Sequence, residues 1–175
     1  MKTMRFISAC LGGLLVLAST TSVWAADLEV FLVRHAEKQT GNDPALTEAG
    51  EQRAESLADL LEDAGIEHIH SSDYLRTLQT AGPLADRLDM SIRLYDPRDL
   101  PALAAQLREE GGRHLVVGHS NTTPPLAEEL GGDGGEPIYE PTEYDRLYLL
   151  TITGDETETF LLRYGARSPL TSEKD

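Results

Sequence analysis

The chain alternates between short apolar runs and longer segments whose apolar residues recur at helical spacing. Leu28–Val33 is rich in β-branched and aromatic residues, which predicts a strand. From Thr47 to Ala64 the apolar residues fall mostly on one side at helical spacing, which predicts a helix. Thr47 is placed to cap this helix, and Gly65 is placed to close it.

The same alternation continues to about residue 131 and then changes. Further strands are predicted at 66–70, 91–94 and 114–118, and further helices from Ser72 or Asp73 to Leu88, from Leu100 to Glu110 and from Thr123 to Gly131. Near the C-terminus, Arg146–Ile152 and Thr157–Arg163 flank Gly154-Asp155 and predict an antiparallel hairpin. These patterns predict a three-layer α/β fold, with a mostly parallel central sheet, helices on both faces and a C-terminal antiparallel hairpin.

Residues 1–25 are predicted to be a signal peptide. Lys2 and Arg5 form a positive region, the largely apolar run 6–18 follows, and Val23-Trp24-Ala25 supplies a small-residue cleavage pattern. The apolar run is shorter than the roughly 20 residues that a membrane span needs. We therefore expect an exported protein, periplasmic or secreted, without stable membrane association after cleavage. An uncleaved membrane anchor is the alternative.

Composition bounds what the remaining chain can be. Cleavage would remove Cys10, the only cysteine, so the mature chain would hold no disulfide. Residues 26–165 are predicted to form one domain, followed by a polar tail at 166–175. The formal net charge of −15 argues against general binding to nucleic acid. Screening over roughly 8 Å still allows a local basic pocket to bind a small anion.

Two arginines and two histidines follow predicted strands. Arg34 and His35 come directly after the first strand, Arg76 lies in the first turn of the helix after the second, and His119 follows the strand that ends at Gly118. Ligands of open α/β sheets bind beyond the carboxyl ends of the strands, so these side chains should converge. Arginine grips phosphate oxygens in bidentate fashion, and a neutral imidazole can attack phosphorus. The set predicts a site for a phosphoryl dianion that works without a metal.

Four short motifs resemble the histidine phosphatase superfamily, the phosphoglycerate-mutase-like clan, in their order along residues 28–163. They are Arg34-His35-Ala36-Glu37-Lys38, Leu46-Thr47-Glu48-Ala49-Gly50, Ser71-Ser72-Asp73-Tyr74-Leu75-Arg76-Thr77 and Val117-Gly118-His119-Ser120. The resemblance implies that His35 is the nucleophile and becomes phosphohistidine. It also implies that Arg34, Arg76 and His119 bind the phosphoryl group, that water then releases phosphate, and that no cofactor is needed. Ala36 stands where the family usually has glycine.

The proton donor expected in this family is not marked by a clear motif. Asp99 is the candidate, with Asp96 beside it, because relatives place an acidic residue near this position. Asp99 is equally suited to cap the helix that begins at Leu100, and Glu37 is a further candidate. We expect a phosphatase that hydrolyses small phosphomonoesters. The alternatives are a phosphohistidine-protein phosphatase and a non-catalytic module that binds a phosphorylated ligand.

His68 and His70 lie two residues apart on a predicted strand and could share one face of it. This spacing invites a metal-site hypothesis, but the sequence shows no third ligand. Structural roles are therefore expected for both histidines, and no metal is predicted. The sequence leaves the oligomeric state open.

Overall fold

The structure of the protein, a computed structural model, describes residues 28–169. The predicted signal peptide at 1–25 lies outside the described residues. Six strands and four helices occur in the described part. In chain order they are β1 (Leu28–Arg34), α1 (Glu48–Leu61), β2 (His68–Ser72), α2 (Leu75–Arg87), β3 (Ile92–Tyr95), α3 (Leu100–Glu110), β4 (Gly112–Gly118), α4 (Thr123–Glu129), β5 (Arg146–Thr153) and β6 (Glu156–Arg163).

One sheet contains all six of these strands, in the order β3-β2-β4-β1-β5-β6. The first four strands of the chain run parallel to one another, whereas β5 pairs antiparallel with β1 and β6 pairs antiparallel with β5. The turn between β5 and β6 contains Gly154 at φ +61°, a left-handed conformation that favours glycine. The α/β class, the mostly parallel sheet and the C-terminal hairpin are confirmed.

The sheet is covered by helices on both faces. Alternate side chains of β1 enter two separate cores, as expected for a strand that is buried on both sides. One core contains Val30 and Leu32 with Leu107 of α3 and Leu126 of α4. The other contains Phe31 and Val33 with Leu57 of α1 and Leu84 of α2. The three-layer arrangement is therefore confirmed. Within residues 28–169, no helix is long and apolar enough to cross a membrane.

The structure shifts the predicted ends of several elements. Helix α1 begins as expected, because Thr47 Oγ1 accepts a hydrogen bond from Gly50 N at 3.1 Å, but it ends at Leu61 instead of reaching Ala64. Helix α2 has no side-chain cap of its own. Asp43, far earlier in the chain, accepts the bond from Leu75 N at 2.9 Å. A local pattern cannot show such a long-range cap.

Strand β2 spans His68–Ser72, so it begins and ends two residues later than the predicted strand at 66–70. Pairing with β3 and β4 on either side extends it, since Ser71 has a partner in both neighbouring strands. The start of the predicted polar tail is held against the domain. Ser168 is buried, its amide donates to Asp145, and its hydroxyl accepts from Tyr144 N at 2.8 Å.

The first turn of α1 packs closely against the segment that follows β1. Thr47 N donates to Glu37 O at 2.9 Å, and Gly50 lies so near this carbonyl that a Cβ on Gly50 would overlap it. The motif at 46–50 therefore has a structural reason: its glycine lets the helix approach the backbone just after Arg34 and His35.

We predict that Gly50→Ala destabilises the protein, because the new methyl group would push α1 away from Glu37. The free energy of unfolding should fall by about 2 kcal/mol, measured by urea denaturation. Gly82→Ala is the matched control, since Gly82 also lies in a helix but has open space around its Cα. That variant should be more stable by about 0.5 kcal/mol. A Gly50→Ala protein as stable as the control would contradict this packing.

Candidate active site

The structure brings the four predicted site residues together at the carboxyl ends of β1 and β4. Arg34 pairs in register with Gly118, so the two strands end at the same level. His35 N donates to Gly118 O at 2.9 Å, which extends this pairing by one residue. The rings of His35 and His119 lie edge to face, with centroids 5.5 Å apart. Arg76 enters from the first turn of α2 and lies 3.4 Å from His119.

The hydrogen bonds of His35 fix which ring nitrogen carries the proton. Nδ1 lies 2.7 Å from Ala36 O, a carbonyl that can only accept, so Nδ1 donates and Nε2 keeps its lone pair. Burial lowers the pKa of His35 to about 3, and the positive charges of Arg34 and Arg76 act in the same direction. The ring is therefore neutral at physiological pH, with a free nitrogen.

His119 is held by a chain of hydroxyl groups. Its Nε2 lies 2.9 Å from Ser72 Oγ, and Ser72 in turn donates to Thr77 Oγ1 at 3.1 Å. With that proton donated to Thr77, Ser72 Oγ accepts from His119 Nε2, and Nδ1 faces Arg76 Nη2. Burial lowers the pKa of His119 to about 4, and the charges of Arg76 and Arg34 contribute.

Each of the two arginines keeps one buried donor without a partner. Arg34 donates through Nη1 to Glu143 O and through Nη2 to Glu140, and its guanidinium lies 3.9 Å over the Tyr144 ring. Arg76 donates to Asp43. In the described part of the chain, the Nε atoms of Arg34 and Arg76 are buried and have no hydrogen-bond partner. Unpaired buried donors are rare in proteins, so this pair favours a ligand with several acceptor oxygens.

A cavity of about 700 Å³ opens beside His35 and His119. Its lining carries more cationic than anionic side chains, although the chain as a whole is strongly acidic. The charged groups around it are Lys38, Arg76, Arg98 and Glu140, and the neutral lining includes Tyr74, Asn121 and Ile138. The volume fits a small molecule, and the local charge favours an anion.

The structure does not place the predicted proton donors in this cavity. Asp99 caps α3, where it accepts from Ala102 N at 3.1 Å, and it is not part of the cavity lining. Asp96 pairs with Arg98, whose hydrogen bonds lower the pKa of Asp96 to about 2.

Glu37 was a further candidate for the proton donor. It forms a two-point ion pair with the buried Arg53, at 2.7 and 2.8 Å. Glu37 thus holds the loop after β1 against α1. Both of its carboxylate oxygens are engaged by Arg53. Ala36, the departure from the family pattern, is fully buried, and its amide donates to Thr80 Oγ1 at 2.9 Å.

Sequence reasoning missed Glu140, the carboxylate that does line the cavity. One of its oxygens lies 3.2 Å from Arg34 Nη2, and its side chain is 60% exposed. Glu140 lies in the connection between α4 and β5, which reaches the site because β5 pairs beside β1. Residues 131–145 carry no motif for such a role. The role of Glu140 could have been predicted only if the pairing of β5 with β1 had been known.

Comparisons with known proteins agree with this geometry. Residues 30–97 match the family model of the histidine phosphatase superfamily (branch 1). A probable phosphoglycerate mutase, GpmB of Erwinia tasmaniensis, is 36% identical over 122 residues, which are 59% of this chain and 56% of the relative. This chain thus spans little more than half the length of that relative. The family-model match and this relative support membership of the histidine phosphatase superfamily, which the sequence motifs resemble.

Solved structures share the fold over most of the described residues. A mycobacterial glucosyl-3-phosphoglycerate phosphatase superposes with a TM-score of 0.62 at 15% identity, covering 81% of this chain and all of that one. The protein histidine phosphatase SixA, solved with tungstate, gives a TM-score of 0.60 at 21% identity, covering 78% of this chain and 96% of SixA. At these identities the likeness establishes the fold.

We predict that acid destabilises the protein as the pH falls from 7 to 5. The pKa values of His35, His70 and His119 are lowered from 6.5 to about 3, 4 and 4, so only the unfolded chain takes up these protons in that range. Their stabilising contribution is complete above pH 6.5 and is lost as the pH falls toward the folded-state pKa. Each group should cost about 1 kcal/mol per pH unit.

Thermal unfolding at several pH values measures this effect. The control is His35→Asn, which removes one of the three groups and should reduce the pH dependence of the melting temperature. A melting temperature that does not change between pH 7 and 5 would show that the imidazoles are not held neutral.

Proposed function

We propose that this protein is a phosphatase that hydrolyses phosphomonoesters through a phosphohistidine at His35. One observation carries the proposal: the free Nε2 of a neutral, buried His35 lies in the same site as two arginines with unpaired Nε donors. A phosphoryl group supplies both things that this arrangement lacks, which are an electrophile for the imidazole and acceptor oxygens for the guanidinium groups.

In the binding step, Arg34 and Arg76 take phosphoryl oxygens through their unpaired Nε–H groups. A dianion beside His119 reverses the electrostatic effect of the arginines, since it favours the protonated ring. His119 then becomes a third donor, with Nε2 still bound to Ser72 and Nδ1 facing the phosphoryl group. Burial of these groups away from water strengthens each of these interactions.

In the transfer step, His35 Nε2 attacks phosphorus in line with the leaving oxygen. The N–P bond forms as the P–O bond to the alcohol breaks, and the two arginines and His119 balance the charge on the three equatorial oxygens. The Nδ1–H bond to Ala36 O holds the ring in position throughout. Water then attacks the phosphohistidine, releases inorganic phosphate and restores neutral His35. Fixed cations perform the charge stabilisation, so the reaction needs no metal.

The leaving alkoxide needs a proton, and Glu140 is the acid we assign to it. It is the carboxyl group in the cavity lining, whereas Asp99 is committed to capping α3. Glu140 contacts Arg34 through one oxygen. When a phosphoryl group binds to Arg34, this carboxyl group lies beside the ester oxygen of the substrate. A neutral carboxyl group there can donate the proton in the transition state.

Related proteins support an anionic, phosphorylated ligand. The SixA structure was solved with tungstate, an oxyanion, and a phosphoserine phosphatase of Entamoeba histolytica with the same fold was solved with 3-phosphoglyceric acid. A phosphohistidine-protein phosphatase is the second candidate. Cleavage of a phosphoramidate depends less on a general acid, and the carboxyl group available for that role, Glu140, is largely exposed. The signal-peptide pattern at 1–25 supports activity outside the cytoplasm. Cleavage before Ala26 in a secreting host would test that location.

We predict that residues 26–175 hydrolyse p-nitrophenyl phosphate, and that His35→Ala lowers the rate by about 10³-fold or more. Rapid mixing with a ³²P-labelled substrate and an alkaline quench should trap an acid-labile phosphoenzyme in the wild type alone. Excess chelator should leave turnover in place. The matched control is His68→Ala, a histidine outside the cavity, which should retain activity. Tight phosphate binding without turnover would instead establish a binding module.

We predict that Glu140→Gln acts selectively on poor leaving groups. Turnover of an alkyl phosphate should fall about 10²-fold. Turnover of p-nitrophenyl phosphate should change little, because its leaving group, p-nitrophenolate, needs no proton. Asp99→Asn is the control and should alter the ratio of the two rates only slightly, although loss of the charge at the cap can lower stability. Equal losses on both substrates in Glu140→Gln, or a selective loss in Asp99→Asn, would reject this assignment.

A further inference from the structure

A second group of histidines lies at the other end of the sheet. His68 opens β2 and His114 lies near the start of β4, where the two residues are paired neighbours. His70 follows on the same face of β2, and Glu110 ends α3 beside them. We call these four residues the histidine cluster. His119 follows His114 by five positions, a distance of about 16 Å along a strand, so the cluster is separate from the phosphoryl site.

The cluster brings ligand atoms of the type that bind transition metals within reach of one ion. One ligand atom each from His68, Glu110 and His114 lie within 4.8 Å of one another. His70 Nε2 lies 3.0 Å from His114 Nδ1. A tetrahedral zinc ion with bonds of about 2.1 Å holds its ligands roughly 3.4 Å apart. Small rotations of the half-buried His68 and the exposed Glu110 would therefore close the site.

His114 already has the orientation of a metal ligand. Its Nε2 lies 2.7 Å from Gly111 O, which can only accept, so Nε2 carries the proton and Nδ1 carries the lone pair. That lone pair accepts the hydrogen bond from His70 Nε2 at 3.0 Å, and an ion bound at Nδ1 would replace this bond. Histidines that bind metals usually donate their second N–H to a backbone carbonyl or carboxylate in this way.

The surroundings of the cluster show what a metal would have to displace. Arg93 of β3 forms an ion pair with Glu110 at 2.8 Å, and Gln106 donates to the other oxygen of Glu110 at 3.0 Å. Arg93 thus competes with a cation for this carboxylate. Because Glu110 is exposed and His68 is only partly buried, an ion can reach the cluster directly from solvent.

We propose that His68, Glu110 and His114 bind a divalent transition metal of the zinc class. Imidazole nitrogens with one carboxylate suit Zn²⁺ and neighbouring late first-row ions, whereas Mg²⁺ and Ca²⁺ prefer sites made of oxygen atoms. The site ties β2 and β4 to the end of α3. Its role is therefore structural or regulatory, and it takes no part in phosphoryl transfer.

The test titrates the chelator-treated mature chain, residues 26–175, with Zn²⁺ by calorimetry and with Co²⁺ by visible absorption. We expect one ion per chain, Co²⁺ bands of a four- or five-coordinate nitrogen and oxygen site, and a higher melting temperature with Zn²⁺. His68→Ala and Glu110→Gln should each weaken binding by more than about tenfold. Arg93→Gln should tighten it, because the competing cation is removed, and a folding defect cannot produce that gain.

Two matched controls make the result specific. Glu109→Gln removes a charge from the neighbouring exposed position of α3 and should bind Zn²⁺ like the wild type. His35→Ala removes a histidine of the phosphoryl site and should also bind normally, which separates this proposal from the proposed phosphatase activity. Absence of Zn²⁺ binding, binding unchanged in both His68→Ala and Glu110→Gln, or binding lost in His35→Ala would each overturn the proposal.

Discussion

The candidate active site depends on the in-register parallel pairing of β1 with β4. This pairing sets Arg34 beside Gly118, and the bond from His35 N to Gly118 O carries the same spacing one residue beyond the strands. The two histidines can then meet edge to face. A side chain at Gly118 would force its neighbours to shift, since a Cβ there would lie 2.9 Å from the hydroxyl oxygens of both Tyr95 and Thr122. A shift in this register would separate His35 from the rest of the site.

Desolvation then determines the chemistry that this geometry can perform. A buried imidazole beside two guanidinium groups loses its proton, because water no longer stabilises the charged ring and its neighbours repel it. The same burial leaves the Nε donors of Arg34 and Arg76 unpaired, which is costly in the free protein. Under the proposed function, a bound phosphoryl group would supply the missing acceptors. Stability and the proposed phosphoryl binding would thus be coupled through the same few atoms.

Much of this arrangement could be predicted from the sequence. The features that could not be predicted share one physical reason. The layer order, the hairpin and the meeting of His35 with His119 depend on local periodicity and on the rule that strand ends share an edge. The interactions that the sequence did not reveal join residues far apart in the chain. Asp43 caps α2, Glu140 reaches Arg34, and His114 joins His68. Each depends on which strands are neighbours in the sheet, and no local pattern encodes that.

The five histidines of the chain fall into two groups at opposite ends of the sheet, and their neighbours give the two ends opposite preferences. Burial lowers the pKa of four of these histidines, two at each end of the sheet, so their rings are neutral at physiological pH. At the carboxyl ends of the strands, Arg34 and Arg76 surround the imidazoles, so an anion completes the charge balance. At the amino ends, Glu110 lies beside the rings of His68 and His114, so the ligand proposed there is a cation. A neutral imidazole can serve either ligand, and the charged residues packed against it determine which one it serves.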